Sequence, residues 1–268
     1  MTRTILIAGT VAGGLLLALP LYAGTDIPVL KAEPRCTLVA SANPPTPPVI
    51  MREEPGSAER LLTSPAHTLY MPPRRGCAAP ALRMGGSTRG GAELQPAVAV
   101  LAPNHVGETM WAQPTLYWYA AGDVTTRVEF TLIAHNAVKP LVSVTLPGLI
   151  RRGVHPIRLA DYAVSLEPGT IYEWSIALVG DGRHRSHDVV AIGEIERVPV
   201  DKPLGLHGQD GYLLNAAHGL WYDAVMAVTD LLETAQAPAM IRLHRAALAE
   251  EVGLSLVAVY DRTMVAQE

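Results

Sequence analysis

Residues 166–174 read LEPGTIYEW, and this stretch decides the fold class. The Pro168-Gly169 pair predicts a tight turn, because proline presets its φ angle and glycine accepts a left-handed backbone. After the turn, Tyr172 and Trp174 alternate with polar neighbours, as in a strand that buries one face. We expect the Tyr172 hydroxyl to bond backward to the turn and Leu166 to fill the core beneath it.

Other short segments have the same mixture of β-branched, aromatic and alternating polar residues. They are residues 98–101, 116–119, 127–134, 141–146, 154–159, 171–179 and 188–198. Seven short strands with no helical pattern between them are typical of an antiparallel β-sandwich. With the tyrosine turn, the segment 97–199 resembles an immunoglobulin or fibronectin III-like domain, so the fold class is mainly β with an α-helical tail.

The period of the apolar residues changes after residue 199. Asp210 is expected to cap a short helix through Ala217, which Gly219 ends. Trp221, Val225 and Val228 follow at i, i+4 and i+7, which is one face of a helix. Pro238 suits the first turn of a further helix, and Gly253 is expected to end it. The tail at 205–262 is therefore predicted to be a short helical hairpin that docks on the sandwich or caps a partner.

The N-terminus predicts export from the cell. Arg3 precedes an apolar stretch at 5–19, and small residues around Ala23 suit a cleavage site. Residues 1–23 are therefore predicted to be a signal peptide, and the chain is expected to be periplasmic or extracellular. The alternative is an uncleaved membrane anchor, because the apolar stretch nearly reaches the length of a bilayer span.

Prolines and glycines are concentrated in residues 24–96, which predicts a flexible arm. Cys36 and Cys77 both lie in this arm. In an oxidising compartment they allow one intramolecular disulfide, while free thiols or an intermolecular bridge are equally compatible with their spacing. The net charge of -4 offers no positive field for phosphate backbones, so a nucleic acid partner is not expected.

An ordered series of motifs is similar to one family of exported bacterial proteins. The motifs are GSTRG at 86–90, LAPNHVGET at 101–109, PTLYWY at 114–119, YEWS at 172–175, RSHDVV at 185–190 and GLWYDA at 219–224. Together they resemble the family called domain of unknown function 928 (DUF928), over residues 86–254. The resemblance implies that an inter-sheet disulfide found in other members is missing here, since residues 96–98 and 177–179 hold no cysteine. It implies no reaction.

Two polar clusters are candidates for chemistry. His184, His187 and Asp188 combine nitrogen and oxygen ligands that zinc could use. A solvated hairpin loop explains them better, because residues 181–182 (DG) favour a turn and Arg183 and Arg185 would repel a cation. His105 and Glu108 combine an imidazole and a carboxylate that acid/base chemistry could use. A connecting loop is the simpler interpretation here too. We predict no catalytic residue, cofactor or metal.

Three consecutive aromatic residues, Tyr117, Trp118 and Tyr119, fall on one predicted strand. Their side chains must point to both faces, so one face meets water, a ligand or the helical tail. Trp221 and Tyr222 are candidates for that cover. We expect a non-enzymatic accessory protein that binds another envelope protein through the sandwich and the arm. The alternative is a carbohydrate-binding module or a hydrolase accessory domain, which would use an aromatic platform.

Overall fold

A computed structural model describes residues 68–73, 82–85, 97–180, 183, 185–199, 211–234 and 238–267. The first of two β-sheets has four strands in the order β1-β2-β4-β7, and all its pairs are antiparallel. Its strands are β1 (Met84–Gly85), β2 (Val98–Val100), β4 (Thr115–Ala120) and β7 (Gly153–Arg158).

The second sheet has five strands in the order β3-β9-β8-β5-β6. Its strands are β3 (Gly107–Thr109), β5 (Arg127–Ala134), β6 (Val142–Thr145), β8 (Ile171–Val179) and β9 (Val189–Arg197). All its pairs are antiparallel except β3 with β9, which is parallel. The expectation of a purely antiparallel fold is therefore wrong at this edge, whereas all seven predicted strands are found.

Alternation places the core where the pattern predicts it. In β5, Val128, Phe130 and Leu132 are buried, while the residues between them are partly exposed. In β8, Tyr172 and Trp174 are buried together with the two apolar residues that follow at the same spacing. The inner faces of both sheets contribute to one hydrophobic core.

The turn before β8 has the predicted connection. The Glu167 backbone N–H donates to the Tyr172 hydroxyl at 3.0 Å, and Leu166 is fully buried beside it. Gly169 has φ +74°, a left-handed conformation that glycine accepts without strain. The hydroxyl therefore ties the start of β8 to the loop that precedes it.

Replacing Tyr172 by phenylalanine is expected to lower the free energy of unfolding by about 1–2 kcal/mol, because the Glu167 amide loses its acceptor. Urea unfolding of the full chain measures this difference. Tyr162 is a suitable control for removing a hydroxyl, since it is only partly buried, and Tyr162→Phe should cost less than about 0.5 kcal/mol. Equal stability of Tyr172→Phe and the native chain would contradict the structural role of the hydroxyl.

The helical region has four helices, one more than the three predicted. They are α1 (Gly211–Ala217), α2 (Trp221–Thr234), α3 (Pro238–Glu251) and α4 (Ser255–Val265). Gly219 and Gly253 follow α1 and α3 with φ of +82° and +79°, as expected of residues that end helices. Helix α4 was not predicted, because no helix was expected after Gly253; it begins two residues later and buries Val257 and Ala258.

Two pieces of the predicted arm lie against this body. Residues 82–85 include β1, which pairs with β2, and residues 68–73 contact the helices. The arm is therefore not a free linker at these two places. The predicted signal peptide, Cys36 and Cys77 lie outside the described residues. Within the ranges that the structure describes, no helix is long and apolar enough to cross a bilayer.

Candidate functional site

The predicted aromatic strand is buried on both faces. Tyr117, Trp118 and Tyr119 expose 5%, 0% and 3% of their surface. The Tyr117 hydroxyl donates to Asp230 of α2 at 3.1 Å, and the Tyr119 ring lies 5.1 Å from that of Tyr260 in α4. Of the three alternatives for the open face of this strand, the structure therefore shows cover by the helical region, which leaves no exposed aromatic surface here.

Trp221 and Tyr222, the residues expected to give that cover, lie elsewhere. The Trp221 indole N–H donates to the Leu101 carbonyl at 2.8 Å, just after β2. The Tyr222 hydroxyl accepts the Trp174 indole N–H at 2.9 Å and donates to the Glu194 carbonyl at 2.8 Å. Adjacent residues at the start of α2 are therefore hydrogen-bonded to both sheets.

Asp223, the next residue in α2, is fully buried. Its carboxylate accepts hydrogen bonds from the Thr109 hydroxyl and from the Met110 backbone N–H. Burial raises the pKa of Asp223 to about 6, while these two hydrogen bonds act in the opposite direction. We call the run Trp221, Tyr222 and Asp223 the α2 anchor. It ties α2 to the residue after β2 in one sheet, and to β8, β9 and the end of β3 in the other.

Residues 68–73, which we call the strap, bring Tyr70 to the α2 anchor. The Tyr70 ring is stacked on His105 with centroids 5.7 Å apart and meets Trp221 edge-on at 5.0 Å. The Asn104 side-chain oxygen, an acceptor only, faces His105 Nδ1 at 3.1 Å, so Nδ1 carries the proton. His105 Nε2 therefore accepts from the Tyr70 hydroxyl at 2.7 Å.

His105, one of the two candidate acid/base residues, is thus buried and hydrogen-bonded within the fold. Burial, aided by the charge of Arg83, lowers the pKa of His105 to about 4, so its ring is neutral at pH 7. Both ring nitrogens are engaged by neighbours. The imidazole is not exposed to a substrate, since 8% of His105 is accessible.

Glu108 lies directly opposite Glu196 in the parallel pair of β3 and β9. Burial and the charge of Glu196 raise the pKa of Glu108 to about 7, and burial also raises the pKa of Glu196. Two like charges at adjacent positions favour keeping one of them protonated. This arrangement makes the stability of the fold dependent on pH.

We expect the chain to be more stable near pH 5 than at pH 7.5, by about 1 kcal/mol or several degrees in melting temperature after allowing for screening of half-exposed Glu108. Glu108 and Asp223 have raised pKa values, so their contribution is full below their unfolded pKa values and is lost as the pH rises through about 7 and 6. His105, whose pKa is lowered, opposes them between about pH 4 and 6.5.

Thermal unfolding of the full chain between pH 5 and pH 7.5 measures the combined effect of Glu108, Asp223 and His105 on stability. Glu108→Gln should remove much of the decline between pH 5 and pH 7.5, because its side chain does not titrate. A melting temperature that rises steadily from pH 5 to pH 7.5 would refute this assignment.

The helices are held to one another by a second buried polar pair. Arg245 of α3 donates two hydrogen bonds to Asp261 of α4, at 2.8 and 2.6 Å, and both residues are at most 4% exposed. A further bond of 3.4 Å reaches Thr229 of α2. On the same helix α3, His244 is hydrogen-bonded to Tyr212 of α1. These groups join all four helices.

Two of the three weak metal-ligand candidates lie in the described part of the chain. Asp188 is paired with Arg185 at 2.8 Å, and His187 is exposed. His184 lies outside the described residues. Among the residues that the structure places, no group of three histidine, cysteine or acidic side chains could hold a metal ion.

Strand β6, at one edge of the five-stranded sheet, is surrounded by exposed apolar side chains. Strand β6 pairs with β5, and its other side has no strand partner among the described residues. The strand reads VSVT and carries neither charge nor proline. Around it, Val138, Leu141 and Leu149 expose 96%, 49% and 56% of their surface. We call β6 and these three residues the β6 edge.

The family model for Domain of Unknown Function (DUF928) matches residues 84–261. This chain belongs to the DUF928 family. The matched segment begins at β1 and ends within α4, so it includes both sheets and the α2 anchor. The family resemblance of the sequence motifs is thereby confirmed.

No curated protein matches the chain. One solved structure is similar over part of it, the crystal structure of an engineered protein at 1.98 Å from the Northeast Structural Genomics Consortium. The match has 14% identity and a TM-score of 0.27, and it covers 40% of this chain and 21% of that chain. The chain thus spans about a fifth of the structure it matches.

Several residues of these clusters were not foreseen. Tyr70 and Glu251 were overlooked because they belong to the predicted arm and to a helix end. Asp223 was quoted only within the GLWYDA motif at 219–224, which gave it no role. Their partners are more than thirty residues away along the chain. One signal was available, since Tyr70 stands alone as an aromatic residue in a proline-rich stretch.

Proposed function

We propose that this chain is a non-enzymatic protein of the cell envelope that binds another envelope protein through the β6 edge and the arm. The observation that carries the proposal is the chemistry of that edge. Natural edge strands are usually protected by charges, prolines or bulges, because an open edge pairs readily with another chain. Strand β6 has neither charge nor proline and lies among exposed apolar side chains.

An edge strand of the other sheet gives a useful contrast. Strand β7, at the edge of the four-stranded sheet, contains Pro156, which has no backbone N–H to donate. Arg151, Arg152 and Arg158 stand around it. Within the strands themselves, β7 carries a proline and an arginine, whereas β6 carries neither and has Lys139, Pro140 and Pro147 only outside its ends. Strand addition at β6 would use main-chain hydrogen bonds for affinity and the exposed apolar residues for specificity.

We also propose that the two sheets have the immunoglobulin or fibronectin III-like topology. The orders β2-β4-β7 and β6-β5-β8-β9 match strands A-B-E and C′-C-F-G of immunoglobulin and fibronectin III-like domains. The bond from Glu167 to the Tyr172 hydroxyl supports this assignment, since a tyrosine corner occupies the same place in those domains. Under this assignment, β6 is strand C′, an outer strand of the sandwich.

The polar interior favours binding over catalysis. Asp223, His105 and Asp261 are buried, and each is engaged by neighbouring side chains or backbone groups. The alternative of carbohydrate binding depended on an aromatic platform at residues 117–119, and these side chains are buried. No specific observation favours it as a second candidate.

Crosslinking in cells that make the native protein tests the proposal. A photoreactive amino acid at exposed Ser143 of β6 should capture one predominant envelope protein, whereas the same group at exposed Val259 of α4 should not. The double variant Val138→Lys and Leu141→Lys should reduce capture at Ser143 about tenfold or more. It should leave stability nearly unchanged, because surface substitutions rarely exceed 0.5 kcal/mol.

Equal capture from both positions, or capture that is insensitive to the two lysines, would count against the β6 edge. Failure to capture any envelope protein from Ser143 in the native cell would remove the proposal itself.

A further inference from the structure

The strap is held through three consecutive backbone amides. The Leu69 and Tyr70 N–H groups donate to the two carboxylate oxygens of Glu251, each at 2.7 Å, and the Met71 N–H donates to the Ala216 carbonyl at 3.0 Å. A carboxylate that accepts two adjacent amides makes a strong, charge-assisted contact. Such contacts recognise an extended backbone whatever its side chains are.

One side chain of the strap is recognised in detail. Tyr70 is 2% exposed, packed between His105 and Trp221, and its hydroxyl donates to His105 Nε2. Phenylalanine in this pocket would leave that buried nitrogen without a donor, which is costly. Met71, by contrast, is 40% exposed. The site therefore selects tyrosine and tolerates variation beside it.

The surface beneath the strap is shaped for close approach of a main chain. A Cβ atom on Gly219 would lie 3.1 Å from the Met71 carbonyl oxygen and 3.3 Å from the Pro73 nitrogen. Gly219 also has φ +82°, which other residues adopt with strain. We call the surface formed by Ala216, Gly219, Trp221, His105 and Glu251 the strap groove.

We propose that the strap groove is a peptide-recognition site, occupied here by the chain's own strap, which takes an extended, tyrosine-bearing segment of another protein. The occupant that is present defines the chemistry of the ligand: tyrosine at the centre and no acidic residue beside it, since the Glu251 carboxylate faces the amides.

This site goes beyond the proposed function, because it does not depend on the β6 edge. A covalently attached strap acts at an effective concentration on the order of millimolar, so a free peptide competes poorly against it. Removing the strap's tyrosine should therefore expose the groove to a peptide added in trans.

Binding of a fluorescein-labelled peptide, HTLYMPPRR, to the full-length chain tests this inference by fluorescence anisotropy. The variant Tyr70→Ala should bind the peptide saturably, and the native chain should bind it about tenfold more weakly or worse. Peptides with Tyr70→Ala or Leu69→Glu should not bind. The β6 variants Val138→Lys and Leu141→Lys, added to Tyr70→Ala, should leave peptide binding unchanged.

A second variant guards against a folding defect in the first. Met71→Pro removes the N–H that donates to Ala216 while it keeps the buried tyrosine, and it should also bind the peptide more tightly than the native chain does. Lack of saturable binding by both variants, with native near-ultraviolet circular dichroism, would overturn the proposal. A concentration-dependent native dimer that Tyr70→Ala abolishes would also overturn it, because it would assign the groove to a second copy's strap.

Discussion

Replacing Asp261 by alanine is expected to lower the free energy of unfolding by about 3–5 kcal/mol. Arg245 is 4% exposed and directs two of its donors at this carboxylate, so the variant leaves a buried guanidinium without its counter-charge. Most of the cost comes from that unpaired charge and not from the lost attraction. Urea unfolding of the full chain, monitored by circular dichroism, measures the difference.

A matched pair and a double variant define the expected pattern. The exposed pair of Arg151 and Asp123 has a similar distance of 2.7 Å, yet Asp123→Ala should cost less than about 1 kcal/mol because water screens both charges. Replacing Arg245 and Asp261 together by methionine and leucine should restore much of the stability lost in Asp261→Ala. A cost below 1 kcal/mol for Asp261→Ala would contradict a buried pair.

Replacing Trp221 by alanine is expected to cost about 3–5 kcal/mol as well. The side chain is 1% exposed, donates to the Leu101 carbonyl and packs against Tyr70, so its removal opens a cavity and leaves a buried carbonyl without a donor. Amide hydrogen exchange at Leu69 and Tyr70 should accelerate, because the strap loses the ring that it packs against.

The variant Trp221→Phe separates the two contributions. It keeps an aromatic ring but lacks the indole N–H, so its cost should be about 1–3 kcal/mol, clearly below that of alanine. Should Trp221→Ala lose less than 1 kcal/mol, or leave exchange in the strap unaltered, the junction would have been assigned wrongly.

Local pattern was sufficient to predict seven of the nine strands that the structure describes, all except β1 and β3. Alternation in residues 127–134 reflects which side chains face the core, and the Pro168-Gly169 turn fixes where β8 begins. The parallel pairing of β3 with β9 could not be predicted, because three residues carry little periodicity and their partners lie about ninety positions away. Periodicity identifies the faces of an element but not what covers them.

The aromatic strand illustrates the same limit. Alternation requires that Tyr117 and Trp118 point to opposite faces of the strand, so both faces need cover. The helical region covers one face, but through Asp230 and Tyr260 instead of the predicted Trp221 and Tyr222. Which helix residue meets which strand residue depends on packing over more than a hundred positions.

The α2 anchor joins the helices and the two sheets into one structural body. Trp221 reaches the residue after β2, Tyr222 reaches β8 and β9, and Asp223 reaches Thr109 at the end of β3. With this rigid connection, the strap groove and the β6 edge would be two surfaces of one body. A partner that engaged both could compete with the tethered strap through the second contact.

Native-state hydrogen exchange at increasing urea tests this connection most directly. Because the α2 anchor ties the helices to both sheets, the slowest amides of β8 at residues 171–179 and of α2 at residues 221–234 should exchange with the same free energy and the same urea dependence. If the amides of α2 instead exchanged at a free energy several kcal/mol below those of β8, the helices would unfold independently of the sheets, and the anchor would not hold them together.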